Sequence, residues 1–399
     1  MKAALDRLVA AELVFQRSMP PDAVYTFKHA LVQDAAHSSL LRSSCQRLHA
    51  RIAEALENDL PDMVKNQPEL LAQHYAEAGF VEKSVAFWGK AGHRSAARSA
   101  MTEASVQFHK GLGQLALLPD EPPRRRQELE FNCSLCAVLN AAKGNAAPET
   151  GRAHARAREL WEQLGSPSEF LHVPYGQARY HAFSGELDEA LRLDEDLLRL
   201  SHQRSDPDGL VLGNFSSGRD LMFAGRFVSS RLHFEAMLAL YDPIIHKQLV
   251  RLIGSYPQVA SGTHLAIVLF CLGFPDQALA RSDAAITEAR TLVHPPTLAQ
   301  NLAMATRLLS LGGDDSMLND RTDQLVTLAN EQGFPLWRAQ GTIYRGWVKV
   351  KGGDVAEGIC LLRNGSRAYR ATGAEAWMPH FGVLLAALKG RESAGWRRR

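Results

Sequence analysis

Hydrophobic positions recur along the chain with the period of an α-helix, and glycines interrupt them at near-constant intervals. Leu48, Ile52 and Leu56 form one apolar stripe, and the charged residues around them fall off it, which is typical of an amphipathic helix. Further along, two helical segments joined by a glycine form a unit that recurs. The glycines of successive units are Gly185, Gly225, Gly273, Gly313 and Gly353, at intervals of 40, 48, 40 and 40 residues. Such spacing predicts a repeat of helix pairs.

The fifth residue after most of these glycines is small. It is Ala190, Ser230, Ala278 or Gly358 after four of them, Leu318 after Gly313, and Ser84 after the earlier Gly79. Glycine ends the first helix in a left-handed cap at low steric cost, and a small residue lets the second helix approach closely. One pair cannot bury its apolar face alone, so neighbouring pairs must stack. We therefore predict an all-α, tetratricopeptide-like right-handed superhelix of antiparallel helix pairs. The alternative is an irregular helical bundle in which the glycines are only caps.

Signals for strands and linkers are few. The segment 23–27 carries β-type residues after two prolines and is the one predicted strand. The proline-rich segment 119–126 and the turn 144–148 interrupt the helical pattern and predict two linkers.

Composition and charge narrow the class of protein. The 399 residues include 45 Lys and Arg against 43 Asp and Glu, a formal net charge of +2, which argues against a dedicated nucleic-acid binder. With 46% hydrophobic residues the chain has enough apolar surface for a core. No stretch approaches the ~20 apolar residues of a membrane helix. The N-terminus lacks a signal-peptide pattern, so we expect a cytoplasmic protein with no membrane partner. Five cysteines, an odd number, predict free thiols rather than a disulfide framework.

Motifs for catalysis, cofactors and metals are absent from the sequence. It has no GxxxxGK[ST] phosphate loop, no GxGxxG after a strand and no HExxH, so we predict no catalytic residue, no cofactor and no metal site. Cys133 and Cys136 form a CxxC without a second pair, in a helical stretch, and we interpret them as structural thiols. The acidic run 194–196 is interpreted as a solvated helical turn.

Several segments resemble one family. The segments 25–42, 47–57 and 68–75 are similar to a junction in bacterial class III adenylate/guanylate cyclase proteins, which join a cyclase domain, an AAA/STAND-type ATPase and a tetratricopeptide-like C-terminal region. The resemblance continues, through segments such as 272–278 and 370–375, to about residue 388. The cyclase domain and the phosphate-binding core of the ATPase have no counterpart here. The resemblance thus implies a C-terminal fragment or a truncated gene product.

The resemblance also implies a domain organisation. Residues 1–60 correspond to a winged-helix remnant of the ATPase module, 61–120 to the first helical repeats, 121–390 to the tetratricopeptide-like array and 391–399 to a basic, frayed tail. In STAND-type ATPases a winged-helix histidine senses nucleotide, and His29 matches that kind of position. The alternative for His29 is local packing or capping.

The function expected from these features is a non-catalytic scaffold or sensor, the regulatory part of a cyclase–ATPase signalling protein, that binds a protein or peptide on its concave face. One alternative is a cyclase or ATPase subunit in cyclic-nucleotide signalling. Another is a transcription regulator, which the winged-helix remnant favours and the near-neutral charge opposes; we expect no nucleic-acid partner.

The C-terminal helix carries apolar residues around most of its circumference. A repeat array needs a polar outer face at its end. We therefore predict self-association or partner docking through residues 377–388, with an interface that contains Phe381, Leu384, Leu385 and Leu388. The alternatives are that the helix tilts, or that the tail folds back and Trp396 covers it.

Overall fold

The structure, a computed structural model, describes residues 2–18, 23–98 and 100–393. Within these ranges the chain forms 21 α-helices and one two-stranded sheet. It divides into two compact units, one of Met1–Ala91 with Lys110–Leu118 and one of Gly92–His109 with Pro119–Arg399. No helix in the described ranges is both long and apolar enough to cross a membrane.

The first unit begins with a small helix–hairpin–helix arrangement. Helix α1 (Lys2–Ala10) is followed by strands β1 (Val14–Arg17) and β2 (Val24–Phe27), which pair antiparallel, and by helix α2 (Ala30–Ser38). The strand predicted at 23–27 is confirmed as β2. Its partner β1 was not predicted from the sequence.

The rest of the first unit is helical, and the last two of its helices also contribute residues to the second unit. These helices are α3 (Arg42–Asp59), α4 (Pro61–Asn66), α5 (Pro68–Ala78), α6 (Val81–Ala97) and α7 (Met101–Leu115). The core of the unit forms around Leu71, Tyr75 and Trp88. Gly79 ends α5 with a φ of 83°, and the Ser84 hydroxyl donates to the Ala72 carbonyl at 2.8 Å. A glycine cap followed by a small residue thus joins α5 and α6 closely, as the repeat pattern predicts.

The second unit contains fourteen further helices. They are α8 (Pro122–Ala142), α9 (Pro148–Gln163), α10 (His172–Ser184), α11 (Leu187–Arg204), α12 (Pro207–Phe223), α13 (Phe227–Leu240), α14 (Lys247–Ile253), α15 (Pro257–Cys271), α16 (Pro275–Thr291), α17 (Pro295–Gly312), α18 (Asp315–Glu331), α19 (Pro335–Lys351), α20 (Val355–Arg370) and α21 (Met378–Ser393). Many begin with proline, which has no N–H to leave unsatisfied in the first turn.

These helices form consecutive pairs that stack. The pairs are α8/α9, α10/α11, α12/α13, α15/α16, α17/α18 and α19/α20. The first helices of neighbouring pairs also contact one another: α10 contacts α12, and α17 contacts α19. The predicted all-α superhelix of helix pairs is therefore confirmed.

The turns and contacts within the pairs follow the predicted pattern. The glycines predicted as caps all have positive φ, between 72° and 97°. Ala190, Ser230, Ala278 and Leu318 are completely buried. At Gly358 a Cβ would lie 2.7 Å from the Gly346 carbonyl oxygen, so α19 and α20 can approach only because this position lacks a side chain.

The interior of the second unit is not uniformly apolar. One apolar cluster extends between Leu129 and Leu308, and another surrounds Tyr344 and Tyr369. Asp194, Arg219, Asp220 and Arg307 are also buried in this unit, each at most 2% exposed. The interpretation of 194–196 as a solvated turn was therefore wrong for Asp194, because its side chain lies on the inward stripe of α11.

Candidate binding cavity

A cavity of about 290 Å³ lies inside the second unit, among the first helices of successive pairs. Residues of α8, α10, α12, α15, α17 and α19 line it, together with the turn after α14. Much of the wall is aromatic: Tyr175, Phe183, Phe215, Phe334 and Trp337. Such a wall suits an apolar group, and the polar side chains between the rings decide what else can bind.

Arg179 of α10 is the cation of this cavity that lacks an acidic partner. One guanidinium nitrogen donates to the Ile253 carbonyl at 3.0 Å, and the guanidinium carbon lies 5.5 Å from the centre of the Tyr175 ring. Its Nε is buried and has no hydrogen-bond partner. No carboxylate of the described residues pairs with Arg179, and neither Asp nor Glu lines the cavity. Burial lowers the pKa of Arg179, which reflects the cost of holding this charge away from water.

Arg219 of α12, the second cation, is neutralised within the chain. Its Nε and one terminal nitrogen bind the two oxygens of Asp220 at 2.6 and 2.9 Å, and both side chains are buried. The same terminal nitrogen donates to the Ser216 hydroxyl at 2.8 Å. This bidentate ion pair satisfies most of the Arg219 donors, so they are not available to another anion.

Asp194 of α11 adds a second buried carboxyl to this ion pair. It is 1% exposed, lies beside Ser216 and Asp220, and neither of its oxygens makes a well-formed hydrogen bond. Burial, and then the charge of Asp220, raise the pKa of Asp194 well above its usual value. The protein interior therefore favours the neutral form of Asp194.

The histidines that line the cavity add no charge. The His264 Nδ1 donates to the Ala260 carbonyl at 2.7 Å, and burial lowers its pKa to about 3. His294 caps α17, where its Nδ1 accepts from the Thr297 N–H, and burial also lowers its pKa. Neutral imidazoles leave Arg179 as the uncompensated charge among the residues that line the cavity.

A second cavity of the same unit, about 520 Å³, is lined by Cys133, His172, Asp208 and Gln248 among others. Gln248 donates to the Asp208 carboxylate, and the His172 Nδ1 is buried without a partner. Burial raises the pKa of Cys133 to about 12, so it remains a thiol and a poor nucleophile. In the described ranges no three His, Cys, Asp or Glu side chains are grouped to hold a metal ion.

The residues predicted from sequence lie outside both cavities. His29 is an exposed residue in the bend between β2 and α2, where its carbonyl accepts from the N–H groups of Val32 and Gln33. A nucleotide-sensing role for His29 stays a prediction.

The C-terminal residues named as an interface pack largely within the chain. Phe381 and Leu384 are buried, and the Phe381 ring meets the Tyr369 ring edge to face at 5.1 Å. Leu385 is half-buried, and Val383 is 65% exposed. The side chain of Leu388 and the residue Trp396 lie outside what the structure describes, as does most of the segment 391–399.

Arg179, Asp194 and Arg219 were missed at the sequence level. Asp194 carried a signal, since it shares a helical stripe with Leu187, Leu191 and Leu198. A charge on an apolar stripe is a candidate for a buried, paired or functional group.

Comparisons with known proteins support the fold. The sequence matches no family model. It is 22% identical over 391 residues to an uncharacterized protein of Rhizobium meliloti (strain 1021), and the match spans 97% of this chain and 38% of that protein. Among solved structures, a Rap protein complexed with Competence and Sporulation Factor gives a TM-score of 0.53 at 12% identity, over 88% of this chain and 98% of that one. A STAND protein with a tetratricopeptide repeat sensor from Pyrococcus horikoshii gives 0.43 at 12% identity, over 96% and 60%. The likeness to the Rap protein shows that this chain has a tetratricopeptide-like helical-repeat fold.

Proposed function

We propose that this chain is a non-catalytic scaffold that binds a peptide or protein segment in the aromatic-lined cavity. The observation that carries the proposal is the cavity itself, which the first helices of successive pairs line with aromatic side chains and one uncompensated guanidinium. Helical repeats generally use their concave surface for such ligands. The Rap protein of the same fold was solved in complex with Competence and Sporulation Factor, which supports a ligand of this kind.

The test fills the cavity and measures peptide binding. Ala141 of α8 is half-buried and lines this cavity but not the second one, so Ala141→Trp places an indole in the binding space. Ala155→Trp is the control, because Ala155 is exposed on the neighbouring α9 and lines neither cavity. We expect a pooled random hexapeptide library to bind the wild type and the control but not Ala141→Trp. Equal binding by all three, or none by the wild type, would contradict the proposal.

Its non-catalytic character is supported by the state of the candidate reactive groups. Burial keeps Cys133 a thiol and His264 a neutral imidazole that already donates to the backbone. Neither forms the nucleophile–base pair that covalent catalysis needs.

We further propose that the scaffold is the sensor part of a cyclase–ATPase signalling protein. The resemblance of segments 25–42 and 47–57 supports this context, and the helix–hairpin–helix of residues 2–38 is compatible with a winged-helix remnant in 1–60. The Rhizobium relative is also much longer than this chain. The boundaries at residues 60 and 120 belong to the same proposal. An ATP titration of the purified chain tests it: micromolar affinity would instead favour an ATPase or cyclase subunit.

A further inference from the structure

We propose that the cavity recognises the C-terminal residue of its peptide ligand: Arg179 pairs with the terminal carboxylate, and the aromatic wall holds an apolar last side chain. This inference rests on the proposed function and specifies its ligand.

Charge is the first argument. Arg179 is half-buried and lines the cavity, and a cation in such a place without an acidic partner can bind an anion that enters beside it. It donates to one backbone carbonyl and interacts with the Tyr175 side chain, and its buried Nε has no acceptor. Asp220, the acid of the neighbouring ion pair, is occupied by both nitrogens of Arg219. A ligand anion can therefore supply the negative charge that the described residues do not.

The surroundings of Arg179 select the kind of anion. A phosphate dianion is normally held by several cations, and here only Arg179 is uncommitted among the residues that line the cavity. A carboxylate needs one guanidinium. The Tyr175 ring lies 5.5 Å from that guanidinium and four more aromatic side chains line the cavity, so a carboxylate bound here has apolar surface near it. The C-terminal residue of a peptide carries its carboxylate next to its own side chain, which can be apolar. In an Asp or Glu side chain the carboxylate is the end of the side chain, with no apolar group beyond it.

A second unsatisfied atom fits the same ligand. The side-chain oxygen of Asn140, on α8, is buried without a donor and lines the same cavity. A peptide N–H close to the terminal carboxylate can donate to it. The volume, about 290 Å³, is near the lower limit of ligand pockets, which suits one residue of a chain rather than a folded surface.

The experiment compares acids with amides. The probes are acetylated hexapeptides of five alanines followed by Phe, Leu, Glu or Gly, each made with a free C-terminus and as the amide, and their affinities are measured by calorimetric titration. For the peptides that end in Phe or Leu we expect the free acid to bind roughly 10- to 100-fold more tightly than the amide, the range of a charge-assisted hydrogen bond. Arg179→Met should abolish this preference. Arg338→Met, which changes an exposed arginine of α19, should retain it.

The outcomes separate this inference from the function it rests on. If acids and amides bind the wild type equally, and Ala141→Trp abolishes both, the carboxylate assignment is wrong and the cavity remains the binding site. A preference that survives in Arg179→Met also overturns the assignment. Absence of binding by any probe overturns it as well, and the random library then decides the proposed function. Because the acid–amide comparison is made on the wild type, the test does not depend on how well Arg179→Met folds.

Discussion

Replacing Asp194 by asparagine tests whether the interior of the second unit holds a protonated carboxyl group. The substitution keeps the size of the side chain and removes its ability to ionise. Burial and the neighbouring Asp220 raise the pKa of Asp194 in the native protein, whereas the unfolded chain has the ordinary value of 3.8. The two states therefore take up protons differently over a range of pH that begins near 4.

The sign and size of the effect follow from this difference. Below about pH 4 Asp194 is protonated in both states and contributes no pH dependence. As the pH rises above that value, the unfolded chain releases the proton and the native protein retains it, so the free energy of unfolding of the wild type falls. The slope is about 1.4 kcal/mol per pH unit, and the fall ends where the pH exceeds the native pKa. An asparagine side chain has no proton to release, so Asp194→Asn gains stability relative to the wild type over the same range.

Urea denaturation at a series of pH values from 4 to 8, followed by tryptophan fluorescence, measures this difference. Glu195→Gln is the matched control, because Glu195 is the exposed neighbour on α11 and should show no slope relative to the wild type. If the curves of wild type and Asp194→Asn run parallel over the whole range, Asp194 ionises normally in the native protein and the reasoning fails.

Four further substitutions test the buried ion pair, the packing and the surface. Asp220→Asn should lower the free energy of unfolding by roughly 3 kcal/mol, as measured by urea denaturation at pH 7. This is the lower end for a broken buried ion pair, because Asp194 can ionise and replace the lost negative charge beside Arg219. Gly358→Val should destabilise by about 1–3 kcal/mol, since its Cβ meets backbone atoms of the facing helix at 2.7 and 2.9 Å. Gly382→Ala, in open space on α21, should instead stabilise by about 0.5–1 kcal/mol. If the C-terminal helix self-associates, Val383→Glu should reduce the mass seen by light scattering without lowering the Tm; an unchanged larger mass would exclude this helix face as the contact.

The helix pairs could be predicted from sequence because local steric requirements specify them. A left-handed cap favours a glycine such as Gly313, and a close contact one turn into the second helix favours a small residue such as Ser230. Both requirements act within a few residues and recur in each helix pair, so they appear as a periodic pattern in the sequence. The repeats could therefore be predicted from the sequence alone.

No comparable sequence pattern predicts the cavity, because it forms between residues that are far apart in sequence. Arg179 meets the backbone at Ile253, 74 positions later, and shares a cavity with Trp337. Whether a polar residue on a first helix faces the cavity or solvent depends on how the pairs stack, and no short pattern records that. Asp194, on a second helix, was misread because it stands within a run of three acids.

The same separation explains why charge is found inside this fold. The repeat pattern constrains the turns and one position of each second helix, and it leaves the other inner positions free to carry other side chains. Arg307 shows that a buried arginine of this unit can be satisfied without an acid, because it donates to the Gln340 side-chain oxygen and its guanidinium carbon lies 4.1 Å from the centre of the Trp377 ring. Arg179 differs because it lines the cavity and its Nε has no hydrogen-bond partner. A ligand in the cavity can therefore supply the acid that the described residues do not.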